Sequence, residues 1–274
     1  MADHAIDYDP VKASLGRVVA RQPLLRRLFY TMLGALFLRN WYIRRELKRV
    51  RNRKQKWDIF DAGSGFGQFS YKMAKTFPNA NVYSIDVKPE QIEDCNWFSK
   101  AVGQTNVKFE LGDLTVYRKP DSYDLILNTD VLEHILEDEK VWANFFASLK
   151  KDGYLVVTTP SSSEGEREYA EGDISVIGEH VREGYSKQEF IDKATRAGFE
   201  IERLDYTYGP FWGPLAWKIL QRIPMQMLSV TKLFFIVVVP WIAILYPLAA
   251  FAMWMDMNTN NPKGGGWIFV GRKP

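Results

Sequence analysis

The stretch that decides the fold is WDIFDAGSGFGQFSY, Trp57 to Tyr71. An apolar, β-prone run leads into Asp61. Gly63, Gly65 and Gly67 then alternate with Ser64 and Phe66, and a helical pattern follows. Glycines at every second position after a strand mark a backbone that turns sharply and lets a ligand approach closely, because a Cβ is absent there. In an open α/β sheet such a loop lies outside the carboxyl ends of the strands, where ligands bind.

The alternation continues outward from the loop. Strands are expected over 57–62, 81–86, 106–111, 123–128, 154–159 and 199–207, each short, rich in β-branched and aromatic residues and bounded by turn formers. Helices are expected between them over 67–77, 89–101, 138–150 and 186–197. Pro89 suits a first helical turn, and Ser186 with Glu189 reads as a capping box. Repeated βα units predict a parallel sheet covered on both faces. GGGWIFVGRKP at the end reads as one more strand.

Composition narrows the function. The 274 residues carry a net charge of only +3, so no nucleic-acid partner is expected, and the basic charge concentrates in RRELKRVRNRKQK, residues 44–56. The single cysteine, Cys95, has no intramolecular disulfide partner, and with three histidines no cysteine-based zinc motif is expected. MADHAIDYDP lacks a basic-then-apolar leader pattern. A mean hydropathy of −0.24 fits a soluble protein with membrane character confined to local segments.

The loop itself discriminates between nucleotides. A dinucleotide fingerprint has the spacing G-x-G-x-x-G, whereas this chain has G-x-G-x-G preceded by Asp61. A carboxylate there repels a pyrophosphate and suits a cationic ligand with an amino group. Asp86 ends the second strand, where an acidic residue takes ribose hydroxyls.

DAGSGFGQ, SID, LGDL, YDLILNTDVLEHI and LKKDGYLVVTTP, in that order and spacing, resemble class I S-adenosylmethionine-dependent methyltransferases over 57–207 and again over 266–272. The resemblance implies a Rossmann-like, seven-stranded, mostly parallel sheet whose last two strands form an antiparallel hairpin. It implies that Gly63, Gly65 and Gly67 pack under the methionine moiety and Asp61 holds the network around its amino group. Asp86 would take the ribose, with Val87 beside the adenine. Asp113 would meet the adenine amino group, with Leu114 next to it, and Asn128 and Thr129 would line the far side of the methionine part.

Methyl transfer from a sulfonium is an in-line displacement, so the protein must mainly align the partners and exclude water. A hydroxyl acceptor also needs a base, and histidine suits near-neutral pH. His134 and His180 both fall on the ligand side and are the candidates, while His4 lies near the start of the chain, away from the motifs. Their arrangement is most similar to the ubiquinone-pathway O-methyltransferases, in which the segment after strand four can hold a divalent metal. The matching residues are Asp130, Glu133 and His134.

Two segments lie outside the alternation: residues 1–56, an amphipathic and then basic arm, and residues 209–264, an apolar insertion dividing the methyltransferase domain into 57–208 and 265–274. Residues 233–255 are 23 in a row without charge, long enough for a bilayer. A single crossing would strand the last β-strand on the wrong side, so a hairpin re-entering at Pro240 and Pro247 or an interfacial pair is expected, with a cap buried on the protein as the alternative. Residues 24–43, the basic run and Trp41, Trp212, Trp217, Trp241 and Trp254 suit a membrane interface with anionic lipid. The expectation is a methyltransferase at the cytoplasmic face of a membrane acting on a lipophilic acceptor: a quinone precursor, another isoprenoid or a phospholipid headgroup. The rivals are a methyltransferase of a soluble small molecule, a nicotinamide-dependent reductase and a non-catalytic adaptor.

Overall fold

A computed structural model describes residues 22–51, 56–162 and 182–274. Seven strands form one sheet: β1 (Asp58–Ala62), β2 (Asn81–Asp86), β3 (Val107–Leu111), β4 (Tyr123–Thr129), β5 (Leu149–Pro160), β6 (Glu200–Thr207) and β7 (Gly266–Arg272), in the order β3-β2-β1-β4-β5-β7-β6. β1 to β5 are parallel, and β7 runs antiparallel between β5 and β6. Every strand read from the sequence is present.

Strand alternation sends successive residues to opposite faces and makes two cores. Ile59, Leu125, Leu127, Val156 and Ile268 point one way, and Phe60, Ile126, Leu155, Val157 and Phe269 the other. The second face is covered by α5 (Asp138–Ser148) and α6 (Lys187–Ala197). Ser186 caps α6 by accepting from the Glu189 N–H at 3.2 Å, and Gly198, at φ 102°, ends it. The first face is covered by α3 (Gln68–Thr76) and by elements of the two outlying segments. α4 (Pro89–Ala101) covers β2 and β3.

The described part of the N-terminal arm is therefore part of the fold. α1 (Pro23–Leu36) and α2 (Leu38–Arg51) are separated at Phe37. Leu38, Tyr42, Ile43, Leu47 and Val50 recur at helical spacing and are buried against the sheet. One face of α2 thus belongs to the core, while its basic residues Arg44 and Lys48 stay exposed. α1 differs: Arg26 and Tyr30 are buried, while Leu24, Leu25, Leu28 and Met32 face outward.

The insertion is a helical hairpin, but not the expected one. The outgoing arm is α7 (Trp212–Trp217), a π-helical turn (Lys218–Arg222) and α8 (Ile223–Val230). The chain turns at Thr231, whose Oγ1 accepts from the Leu233 N–H at 3.3 Å. The returning arm, α9 (Phe235–Asn258), is one helix of 24 residues containing both Pro240 and Pro247. Each proline removes one backbone bond, to Ile236 and Ala243 respectively. The rest of the ladder and the packing on the outgoing arm carry the helix through, and Trp241 Nε1 donates to Ile219 O at 2.9 Å across the two arms.

The base of the hairpin is locked to the domain. Ala249, Ala252 and Met253 are buried in the first core. The buried Asp256 carboxylate accepts from Tyr42 OH at 2.7 Å and from the Gly209 N–H at 2.9 Å. Tyr42→Phe removes one donor from a buried carboxylate, and the expected cost is about 1–3 kcal/mol. Urea unfolding checks it: the midpoint falls while the m value stays unchanged.

Candidate active site

The glycine loop is built by backbone geometry. Gly63, Gly65 and Gly67 have φ of 85°, 49° and 71°, in the left-handed region that favours glycine. Gly63 N and Ser64 N donate to Ile85 O at 3.0 and 2.9 Å, fixing the loop across the end of β2. The Asp86 carboxylate accepts from Gly65 N at 2.8 Å and Lys88 N at 3.1 Å. The glycines do different jobs. A Cβ on Gly63 would meet Val131 Cγ2 at 2.4 Å, and one on Gly67 would meet Cys95 Sγ at 2.8 Å, so both allow close packing within the protein. At Gly65 the nearest atom is 3.9 Å away, so this glycine leaves a cradle that a side chain would fill.

The residues around that cradle fit S-adenosylmethionine. Asp61 is buried, accepts from Ser70 Oγ, and burial pushes its carboxyl up to about 7. A cationic amino group would restore its ionised form. Asn128 Nδ2 donates to Ala62 O at 2.8 Å, whereas Asn128 Oδ1 and Thr129 Oγ1 are buried with no partner among the described residues. Val87 is 55% exposed and offers an apolar face beside Asp86. Asp113 Oδ1 accepts from Thr115 N and Thr115 Oγ1, both at 2.8 Å, which shapes the turn after β3. Leu114 is buried in the core beneath that turn, and the neighbouring exposed apolar residue is Leu111.

α1 clasps the loop from outside. Arg26 Nη2 donates to Phe66 O at 2.9 Å, and Tyr30 OH donates to the same oxygen. Arg26 also pairs with Asp94 and lies 4.6 Å from the centre of the Phe98 ring. The sequence assigned Arg26, within residues 24–43, to a membrane interface. The partners lie 40 and more positions away, which no local pattern reveals.

The metal reading is corrected. Among the described residues no group of three His, Cys, Asp or Glu is arranged to hold an ion. Asp130 stands in a left-handed conformation, φ 49°, and pairs with Arg39, while its Oδ1 accepts from Thr158 Oγ1 at 3.1 Å. Glu133 turns into the interior, accepts from Thr159 Oγ1 at 3.1 Å and is pushed up to about 7 by burial. His134 sits half-buried in the 3₁₀ turn Leu132–His134. The set that the resemblance implied is therefore not brought together. His180 lies outside the described residues.

Beyond Thr129 a cavity opens at the carboxyl ends of β4, β5 and β6. Its walls include Arg39, Tyr42, Asp130, Thr158, Tyr208 and Trp267. Tyr208, like Asp130, has a positive φ, 53°, and its hydroxyl accepts from the Arg39 N–H at 3.3 Å. Arg39 and Tyr208 were absent from the sequence-derived site.

A nucleotide cradle with a buried carboxyl suited to an amino group, beside a second cavity at the strand ends, is the arrangement of a group-transfer enzyme with a cationic donor. The family described as a methyltransferase domain matches residues 53–207, and the chain belongs to that family. S-adenosylmethionine is the methyl donor, and the nicotinamide reading falls away. The chain is similar to malonyl-[acyl-carrier protein] O-methyltransferase 1 of Ilyobacter polytropus, 26% identical over 110 residues, 40% of each chain. It is also similar to phosphoethanolamine N-methyltransferase 1 of Arabidopsis thaliana, 28% identical over 152 residues, 51% of this chain and 30% of the relative. It thus spans less than half the length of these curated relatives. Among solved structures, phosphoethanolamine N-methyltransferase 2 of Haemonchus contortus, in complex with phosphomonomethylethanolamine and S-adenosylhomocysteine, superposes with a TM-score of 0.63. Identity is 18%, over 95% of this chain and 60% of that one. A coclaurine N-methyltransferase superposes with a TM-score of 0.57 at 17% identity, over 83% and 68%.

Two outcomes are expected. Gly65→Val fills the cradle, so S-adenosylhomocysteine affinity falls about tenfold or more in a calorimetric titration, while far-ultraviolet circular dichroism is unchanged. The raised Asp61 carboxyl is protonated below about pH 7, so it pairs with a cation only as pH rises through that value. S-adenosylmethionine affinity therefore increases from about pH 5 to pH 7, and Asp61→Asn flattens that rise. The ligand-free protein loses stability over the same interval, because the unfolded carboxyl ionises near 3.8.

Proposed function

We propose that this methyltransferase works on a membrane-embedded or lipid-linked acceptor, docked at the cytoplasmic face of a membrane through its helical hairpin. The observation that carries the reading is the hairpin's exposure. The segment Lys232–Asn258 has a mean hydropathy of 2.4 and only 11% of its apolar window is buried. Leu233, Phe235, Ile236, Val239 and Ile244 all face outward, Leu233 and Ile236 at 76% each. A surface of that kind marks an interaction site. It also speaks against the rival in which the insertion is a cap buried on a soluble enzyme.

The two arms differ in a way that suits an interface. On the outgoing arm Lys218, Arg222, Gln226 and Ser229 recur at three- and four-residue spacing and are all exposed, a polar stripe. The returning arm is apolar around its circumference from Phe235 to Met255. A hairpin with one polar edge and one apolar body lies in the headgroup region with its body toward the acyl chains. The apolar outer face of α1 supplies a second contact, and basic residues such as Arg27, Arg44 and Lys48 attract anionic headgroups. The acceptor cavity opens at the hairpin's base, next to Tyr208, so docking sets it near the lipid surface. Relatives named as a phosphoethanolamine N-methyltransferase and a malonyl-[acyl-carrier protein] O-methyltransferase keep both amine and oxygen acceptors in view.

The test is a vesicle flotation assay. Wild-type protein is expected to float with vesicles, better with anionic lipid, and high salt should release only part of it. Phe235→Asp with Ile236→Asp alters two exposed positions, so cofactor binding stays while flotation drops about tenfold. Replacing residues 222–238 by a short Gly/Ser turn keeps the buried base and should abolish flotation. Flotation unchanged in both variants would sink the reading.

A further inference from the structure

We propose that the cavity beside the cofactor site recognises a zwitterionic acceptor, an amine carried close to a phosphate ester, with Asp130 facing the amine and Arg39 facing the phosphate. The proposal rests on the methyltransferase reading and narrows its acceptor to one chemical class. Arg39 and Asp130 are the only charged side chains among the described residues of the cavity wall, one of each sign. They pair with each other, and their side chains are 31% and 30% exposed. A partly exposed pair of this kind can be met charge for charge by a zwitterion, which offers each member a new partner. The guanidinium is also under-used: Arg39 Nε is buried without a partner among the described residues. A phosphate oxygen would satisfy that donor and form a charge-assisted bond.

The backbone points the same way. Asp130 and Tyr208, both of the cavity wall, hold left-handed conformations. For a residue as bulky as tyrosine that is an outlier of the kind that persists at ligand clamps. Asp130 and Tyr208 line the cavity that Tyr42 and Trp267 also wall. Aromatic faces beside a carboxylate favour an ammonium and its methylated forms. A phenol or quinone precursor brings neither an ammonium for Asp130 nor a phosphate for Arg39, so it would use neither charge of the pair. The amine end falls on the Asp130 side, next to Thr129 and Asn128, where the methyl group is delivered.

The transfer balances. The ammonium gives one proton, through Asp130, to water. Its freed lone pair forms the new N–C bond as the C–S bond breaks, and that bonding pair stays on sulfur, so the sulfonium charge leaves as the released proton.

The experiment supplies methyl-labelled S-adenosylmethionine to the full chain with three separate acceptors: phosphatidylethanolamine vesicles, soluble phosphoethanolamine, and a prenylated phenol in phosphatidylcholine vesicles. Label on phosphatidylethanolamine nitrogen is expected. Label on soluble phosphoethanolamine alone keeps the zwitterionic site and overturns the membrane acceptor. Label on the phenol alone keeps the membrane acceptor and overturns this inference, as does the absence of label in both amine arms. Asp130→Asn and Arg39→Gln should each raise KM for the amine acceptor about tenfold, with S-adenosylhomocysteine affinity within twofold of wild type, and Arg39→Lys should recover part of the loss. An unchanged KM in both variants overturns the inference. Should a variant lose cofactor binding through misfolding, the wild-type acceptor profile decides alone.

Discussion

The antiparallel pairing of β6 with β7 constrains everything at this end of the molecule. Thr207 stands opposite Gly266, and Gly266 in turn opposes Pro160 of β5. The chain between them must leave the sheet and come back to a point one strand spacing away, about 4.8 Å. Two helical arms of opposite direction satisfy that closure, and the buried Asp256 carboxylate pins the returning arm to Tyr42 and to the Gly209 N–H where the outgoing arm starts. The same closure makes the cavity beside the cofactor site, because Tyr208 and Gly265, which open and close the excursion, form part of its wall. Gly265 N donates to Tyr208 O at 3.1 Å, sealing the neck.

A second constraint runs through the glycine loop. Its left-handed backbone is held from below by Ile85 O and the Asp86 carboxylate and from above by Arg26 and Tyr30 of α1. The cofactor cradle is therefore shared between the first βα unit and a helix that precedes it by some thirty residues. Asn40 extends the link, accepting from Gln68 Nε2 at 3.0 Å and Lys72 Nζ at 3.1 Å of α3. Through Arg39, the adjacent residue, α2 also reaches Asp130. α2 thus reaches the helix after the glycine loop with Asn40 and the wall of the second cavity with Arg39.

The sheet was legible because its signals are local. Two-residue alternation, Pro89 at a helix start, Ser186 at a cap and glycines at left-handed positions each act within a few residues. The same holds for Asp61, Asp86 and the unpaired oxygens of Asn128 and Thr129, which strand ends place automatically. What failed to show was non-local or depended on an unusual backbone. Arg39 meets Asp130 across 91 positions, and Arg26 meets Asp94 across 68. Asp130, Glu133 and His134 were named together by resemblance, but Asp130 is left-handed and pairs with Arg39, while Glu133 and His134 lie in a 3₁₀ turn with Glu133 facing the interior. Pro240 and Pro247 read as helix breakers, yet the turn fell at Thr231, because packing against the outgoing arm outweighs two missing backbone bonds.

The geometry of the hairpin limits how it can meet a bilayer. From Phe235 to Leu248, before the buried base begins, the returning arm has 14 residues, about 21 Å of helix. That is short of the roughly 30 Å hydrocarbon core, so the hairpin is too short to cross. Upright insertion would carry Lys232 at the apex into the hydrocarbon, which is costly. Tilted into the interface, the hairpin keeps Lys232 with Lys218 and Arg222 at headgroup level while the apolar body of the returning arm sinks beside them. In the proposed pose the neck at Tyr208 and Gly265 would stay at the membrane surface. A lipid headgroup would then need only a short lateral move to reach Arg39 and Asp130, and its acyl chains would never have to leave the bilayer.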